Sequence, residues 1–146
     1  MKDERISRLH RLAILVLVLL AVQFVLGMTL NLFTTFPNIP GGIVESNQFL
    51  PLFTEYPVLL VHYSLGVILF IFSIVILIFA RGIREMHIFP VAMLGFFSVL
   101  AAFASGIEFM VHAFQNNTYS FTMSIGFIVA LLTYFAMFYE TKPLKT

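Results

Sequence analysis

The chain has 146 residues, a length that allows one domain, and it is 60% hydrophobic and only 10% charged. This composition excludes a soluble globular protein and a disordered chain. The chain contains no cysteine, which excludes disulfides, thiol catalysis, cysteine-ligated clusters and covalent attachment of c-type haem. The formal net charge of +1 says nothing about partners until the charged residues are placed.

Four apolar runs have the length of about 20 residues that a helix needs to cross the hydrocarbon core of a bilayer. They cover residues 12–33, 58–80, 90–114 and about 120–139, and residues 34–57 form the one long loop. The first run is longer than the apolar region of a signal peptide, so we expect it to be retained. The sequence therefore predicts an all-α integral membrane protein, in which residues 1–146 form a single antiparallel four-helix transmembrane bundle.

The basic residues are distributed on one side of these spans. All eight lysines and arginines lie before the first run, between the second and third, or after the fourth. Under the positive-inside rule this pattern predicts a multi-pass protein of the cell membrane with both termini in the cytoplasm. The loop 34–57 is then extracytoplasmic, and its glycines and prolines predict that it lacks regular structure. A loop of this length is typical of a lid or a binding loop.

Polar and ionisable residues of the spans concentrate in the predicted extracytoplasmic half. They are Gln23, Thr29, Asn31, His62, Glu108, His112 and Thr122. An ionisable side chain inside a spanning helix is costly, so it marks a candidate functional site. Glu108 in particular needs protonation, a histidine partner or a wet cavity at this depth.

Bundle interiors often hold cofactors through side chains of facing helices. A haem needs one or two axial nitrogen ligands, small residues beside the ring and apolar walls. His62 and His112 fall at the same depth and could supply the axial pair of a haem b. The other candidate cofactor-binding residues are Gly66, Gly106, Gln23 and Thr122. The sequence thus predicts a haem-binding membrane protein, such as a small b-type cytochrome.

Three alternatives stay open at this point. His62, Glu108 and His112 could together hold a metal ion. Glu108 could accept a proton from His112 at a site for a quinone or another lipophilic substrate, which makes Glu108 the candidate catalytic residue. In the third alternative, both histidines only cap helix ends at the lipid head groups, and the protein is a cofactor-free accessory subunit of a respiratory membrane complex. We expect lipid, and a second copy or complex subunits, as partners, and no nucleic acid.

An internal similarity relates the two halves of the chain. Shifted by sixty residues, the second run aligns with the fourth, matching Ser64 with Ser124 and Gly66 with Gly126, while His62 meets Thr122. The first and third runs match more weakly, through Phe24 with Phe103 and Gly27 with Gly106. This pattern predicts two repeated helical hairpins related by an axis normal to the membrane.

The segment from Gln23 to Gly27, followed by a histidine at the outer start of the second helix, resembles one four-helix half of the haem A synthase family. Members of this family are haem-modifying assembly proteins of cytochrome oxidase, and half-size members act as oligomers. The resemblance implies that His62 is a haem ligand at an extracytoplasmic site. The chain departs from the family at two positions. Leu59 lies near the place of the family's reactive glutamate, and Thr122 replaces the histidine that opens the fourth helix.

Overall fold

The structure is a computed structural model that describes residues 2–37, 39, 41–83 and 87–142. It contains the helices α1 (Lys2–Phe33), α2 (Phe49–Glu55), α3 (Pro57–Arg81), α4 (Ile88–Val111) and α5 (Asn117–Glu140). Within the described ranges there is no strand. Four of these helices, α1, α3, α4 and α5, are long and apolar enough to cross a membrane. The predicted all-α transmembrane bundle is confirmed.

The four long helices form a closed ring in which each packs on two others. The neighbouring pairs are α1 with α3, α3 with α4, α4 with α5, and α5 with α1, the α4–α5 contact being the most extensive. Short connections join α3 to α4 and α4 to α5, whereas the long loop that contains α2 joins α1 to α3. Each of the four long helices runs antiparallel to the one before it. We call the end that holds the start of α1 and the last turns of α3 and α5 the basic end. The opposite end, which holds α2 and the α4–α5 turn, is the loop end.

The main core lies in the half of the bundle nearer the basic end. Its largest fully buried apolar side chains are Leu9, Val16, Ile76, Tyr134 and Met137. Large apolar side chains such as Val18, Ile78 and Leu132 stay exposed on the outside. Because lipid tails are as apolar as these side chains, close packing between helices is what holds a membrane bundle together.

Small residues bring α4 and α5 unusually close. A Cβ atom added at Gly126 of α5 would lie 2.8 Å from the Ser98 carbonyl oxygen and 3.0 Å from the Ala102 Cβ atom. Gly106, farther along α4, faces Met123 of α5. The sequence places Ser98, Ala102 and Gly106 on one ridge of α4, and α5 covers that ridge.

Residues 34–57 were predicted to lack regular structure, and this is wrong for their second half. A 3₁₀ turn at Ser46–Gln48 leads into α2, Phe49–Glu55. Pro51 belongs to the first turn of α2 and Pro57 is the first residue of α3. Neither proline breaks its helix, because the first amide groups of a helix have no partner within it.

The loop folds back over the loop end of the bundle. The Val44 amide donates to the Val111 carbonyl oxygen at 2.8 Å. The Phe36 ring stacks on Phe114 with centroids 3.7 Å apart. A small buried cluster lies beneath, made of Leu30, Leu52, Leu59 and Met110. The loop therefore forms an apolar cap over the loop end of the bundle.

Aromatic rings join the two hairpins on both sides of the bundle. Phe24 of α1 stacks on Phe127 of α5 with centroids 5.6 Å apart, and Phe103 of α4 stacks on Phe70 of α3 at 5.5 Å. Phe24 and Phe103 correspond in the predicted repeat, but the shift of sixty residues pairs Phe70 with Ala130 and Phe127 with Val67. The hairpin repeat therefore stays a prediction.

Candidate functional site

Gln23 of α1 and His62 of α3 meet inside the half of the bundle nearer the loop end. The Gln23 Nε2 atom lies 3.3 Å from His62 Nε2 and donates to the His62 carbonyl oxygen at 3.1 Å. An amide nitrogen only donates hydrogen bonds, so His62 Nε2 is the acceptor in this pair. The ring proton of the neutral imidazole then lies on Nδ1, a tautomer assigned from the hydrogen bonds.

Two glycines make room for this pair. A Cβ atom at Gly27 would lie 3.2 Å from His62 Cε1, and one at Gly66 would lie 3.5 Å from Gln23 Nε2. The Gly66 position also faces the Phe103 ring at 3.6 Å. Side chains of this chain therefore fill the space beside both glycines. Gly27 and Gly66 let α1 and α3 approach with a polar pair between them.

Two polar atoms of the pair remain without a hydrogen-bond partner. They are Gln23 Oε1 and His62 Nδ1, and both are buried. A buried polar atom that makes no hydrogen bond costs about 1–3 kcal/mol, so each such atom in a folded protein calls for an explanation. One is an acceptor and the other a donor. Together they are complementary to a ligand group that both accepts and donates.

His112 lies in a different cluster, at the end of α4. Its Nδ1 atom lies 2.8 Å from the Glu108 carbonyl oxygen and 3.6 Å from the Glu108 carboxylate. Its ring lies 5.0 Å from that of Tyr119. The side chains of His112 and Glu108 are 37% and 51% exposed. Of the three alternatives for Glu108, the structure places a histidine beside its carboxylate, and this pair is open to the surroundings.

A surface cleft of about 480 Å³ lies beside this pair. Its lining residues are Gly42, His112, Gln115, Asn116, Asn117 and Thr118. Asn116 caps α5 by accepting a hydrogen bond from the Thr118 amide at 3.0 Å. The turn before it holds Ala113 and Phe114 at positive φ values of 51° and 60°, which are uncommon for residues other than glycine. The cleft is polar, unlike the interior around His62.

The predicted site residues thus fall into separate groups. Gln23, His62 and Gly66 come together, while Glu108 and His112 form their own pair. No hydrogen bond, ion pair or ring contact among the described residues joins the two groups. Thr122 is exposed on α5 and its hydroxyl donates to the Thr118 carbonyl oxygen at 2.9 Å. A haem held between His62 and His112 stays a prediction that no described contact supports.

The three-ligand metal alternative is not formed. Throughout the described part of the chain, no group of three or more His, Cys, Asp or Glu residues could hold a metal ion. His62, Glu108 and His112 all belong to that part. The reason is geometric, because His112 turns toward Glu108 on its own helix while His62 packs against α1.

His10, which lies among arginines in the sequence, is not one of the predicted site residues, and it is half-buried in the structure. Its Nδ1 atom lies 3.2 Å from the Phe138 carbonyl oxygen and 3.3 Å from Thr141 Oγ1, and its ring stacks on Phe138. The helix α1 begins ten residues before the predicted span, which brings His10 against the end of α5.

Comparisons with protein families, with curated proteins and with solved structures found no match. The resemblance to haem A synthase stays a prediction.

Proposed function

We propose that this multi-pass membrane protein binds a lipophilic ligand with a quinone-type head group at Gln23 and His62. The observation that carries the proposal is that two buried atoms of one contacting pair of side chains, Gln23 Oε1 and His62 Nδ1, lack hydrogen-bond partners. A quinone carbonyl oxygen would accept from the Nδ1–H group. A hydroxyl group of the reduced form would donate to Gln23 Oε1.

The surroundings of the pair suit a ligand that arrives from the bilayer. Phe24 and Val61, next to Gln23 and His62 in sequence, are 52% and 53% exposed on the lipid-facing surface. The rings of Tyr63 and Phe103 lie 6.1 Å apart beside Gly66 and provide aromatic walls. The cap at the loop end separates the site from the aqueous side. These features favour an apolar ligand with a small polar head.

The test measures binding of a short-chain benzoquinone to the purified protein in detergent. Binding is detected as a rise in the temperature of thermal unfolding. We expect His62→Gln and Gln23→Leu each to weaken binding by about five- to tenfold, the value of one lost hydrogen bond. The matched control is His112→Gln, which changes a histidine at the same end of the bundle and should leave binding unchanged. Equal binding by His62→Gln and His112→Gln, or no binding by the unaltered protein, would overturn the proposal.

Haem b at His62 is the second candidate. A largely buried imidazole inside the bundle favours it. A bound haem would supply a redox centre, and His62 would serve as one axial ligand. The Gln23 amide now occupies the Nε2 lone pair, so it would have to release His62. The second axial ligand would come from outside this cluster, as in an oligomer.

Visible absorption decides this candidate. Protein expressed with added haem should show a Soret band that His62→Ala abolishes and that His112→Ala retains. A spectrum without that band would exclude haem, whereas the quinone proposal would still be judged by its own binding measurement. If the protein binds neither the quinone nor haem, a cofactor-free accessory subunit becomes the better proposal. In this structure, however, α5 already covers the ridge of small residues on α4 that a partner subunit would need.

A further inference from the structure

A second cleft, of about 330 Å³, lies at the basic end between the start of α1 and the last turn of α3. Its lining residues are Glu4, Arg5, Arg8, Ile78 and Phe79. The α1 side is charged and the α3 side is apolar. Ile78 is 67% exposed and lies on the surface of α3 that faces lipid. The cleft therefore joins a basic surface to the hydrocarbon-facing side of the bundle.

The two arginines of this cleft differ in their partners. Arg8 donates to the Glu4 carboxylate at 2.6 Å. Arg5 makes no ion pair with any residue in the described ranges, and its guanidinium lies over Gly82, directly after α3. A Cβ atom at position 82 would overlap the Arg5 Nη1 atom. Gly82 thus provides the space that keeps the Arg5 guanidinium beside the cleft.

We infer that this cleft binds the phosphate group of an anionic phospholipid. A guanidinium presents several donors in a fixed fork, which suits phosphate oxygens. Basic residues beside a membrane attract anionic lipids, each contributing about fivefold in affinity. The apolar wall of Ile78 and Phe79 would contact an acyl chain, a contact that a soluble phosphate does not use. The inference is independent of the ligand proposed at His62.

The test uses delipidated full-length protein in a neutral detergent. Thermal unfolding is followed while phosphatidylglycerol or phosphatidylcholine is added, with glycerol phosphate and inorganic phosphate in separate arms. We expect phosphatidylglycerol to stabilise the protein at lower concentration than phosphatidylcholine. Arg5→Ala should lower the apparent affinity for phosphatidylglycerol about fivefold. Arg5 is exposed, so its replacement leaves the core intact.

Two controls separate the cleft from general surface charge. Arg11→Ala removes the same charge from an exposed site on α1 that does not line the cleft, and it should leave the affinity unchanged. Glu4→Gln frees Arg8 and should tighten binding, whereas Glu140→Gln, at the same end but outside the cleft, should not. Equal losses for Arg5→Ala and Arg11→Ala would overturn the inference. Displacement of the lipid by inorganic phosphate would show a soluble phosphate site and would overturn it too.

Discussion

At the scale of single residues, the informative feature is a polar pair with unused hydrogen-bonding capacity. Gln23 and His62 satisfy each other only in part, since Oε1 of one and Nδ1 of the other are buried without partners. Glu108 and His112 are also a pair, but both side chains are substantially exposed. Burial decides which pair matters for stability, because a surface ion pair contributes only about 0–1 kcal/mol.

The coupling between Gln23 and His62 can be measured with a double-mutant cycle. Gln23→Leu and His62→Leu should each lower the free energy of unfolding by about 1–2 kcal/mol, because each leaves its partner unpaired. The double variant should lose less than the sum, with a coupling of about 0.5–1.7 kcal/mol as between other membrane helices. Unfolding in mixed micelles provides the measurement. Glu108→Gln with His112→Gln is the comparison cycle, and its coupling should be close to zero. Strict additivity at Gln23 and His62 would contradict the contact.

At the scale of elements, the α4–α5 contact is the tightest in the bundle. Gly126 lies against the backbone of α4 at Ser98. This backbone cannot move aside unless the whole of α4 shifts. Gly106 belongs to the same interface but faces the sulfur atom of Met123, whose side chain is flexible. The two glycines therefore differ in how much an added methyl group disturbs the structure.

Replacing each glycine with alanine tests this difference. Gly126→Ala should destabilise the protein by about 1–3 kcal/mol, the usual cost of overpacking. Gly106→Ala places its Cβ atom 3.4 Å from the Met123 sulfur, so it should be neutral or should stabilise by up to about 1 kcal/mol through helix propensity. Thermal unfolding followed by circular dichroism in detergent measures both. An equal loss for the two variants would show that the interface is less closely packed than described.

At the scale of the whole molecule, the two ends of the bundle have different chemistry. The basic end holds the lysines and arginines that the structure describes, and it has a cleft lined by Arg5 and Arg8. The loop end has an apolar cap, the polar cleft beside His112 and, below the cap, the Gln23–His62 pair. If the protein follows the positive-inside rule, these two regions lie at opposite leaflets of the membrane.

The absence of cysteine makes this orientation directly testable. Ser46→Cys places a thiol in the loop and His87→Cys places one at the basic end, and both positions are exposed. A membrane-impermeant thiol reagent added to intact cells should label Ser46→Cys and should label His87→Cys only after the membrane is opened. Labelling of His87→Cys in intact cells would reverse the predicted orientation.

The sequence by itself determined the number of spans, their approximate ends and the one-sided charge, because apolar length and charge placement are local properties of the chain. It did not predict α2, since the first-turn position of Pro51 depends on where that helix begins. Only the tertiary structure decided that Gln23 lies on His62, that His112 turns to Glu108 and that Thr122 stays outside both groups. Those outcomes depend on how each helix is rotated against its neighbours. That rotation is set by contacts such as Gly27 on His62 and Gly126 on Ser98, between residues far apart in the chain.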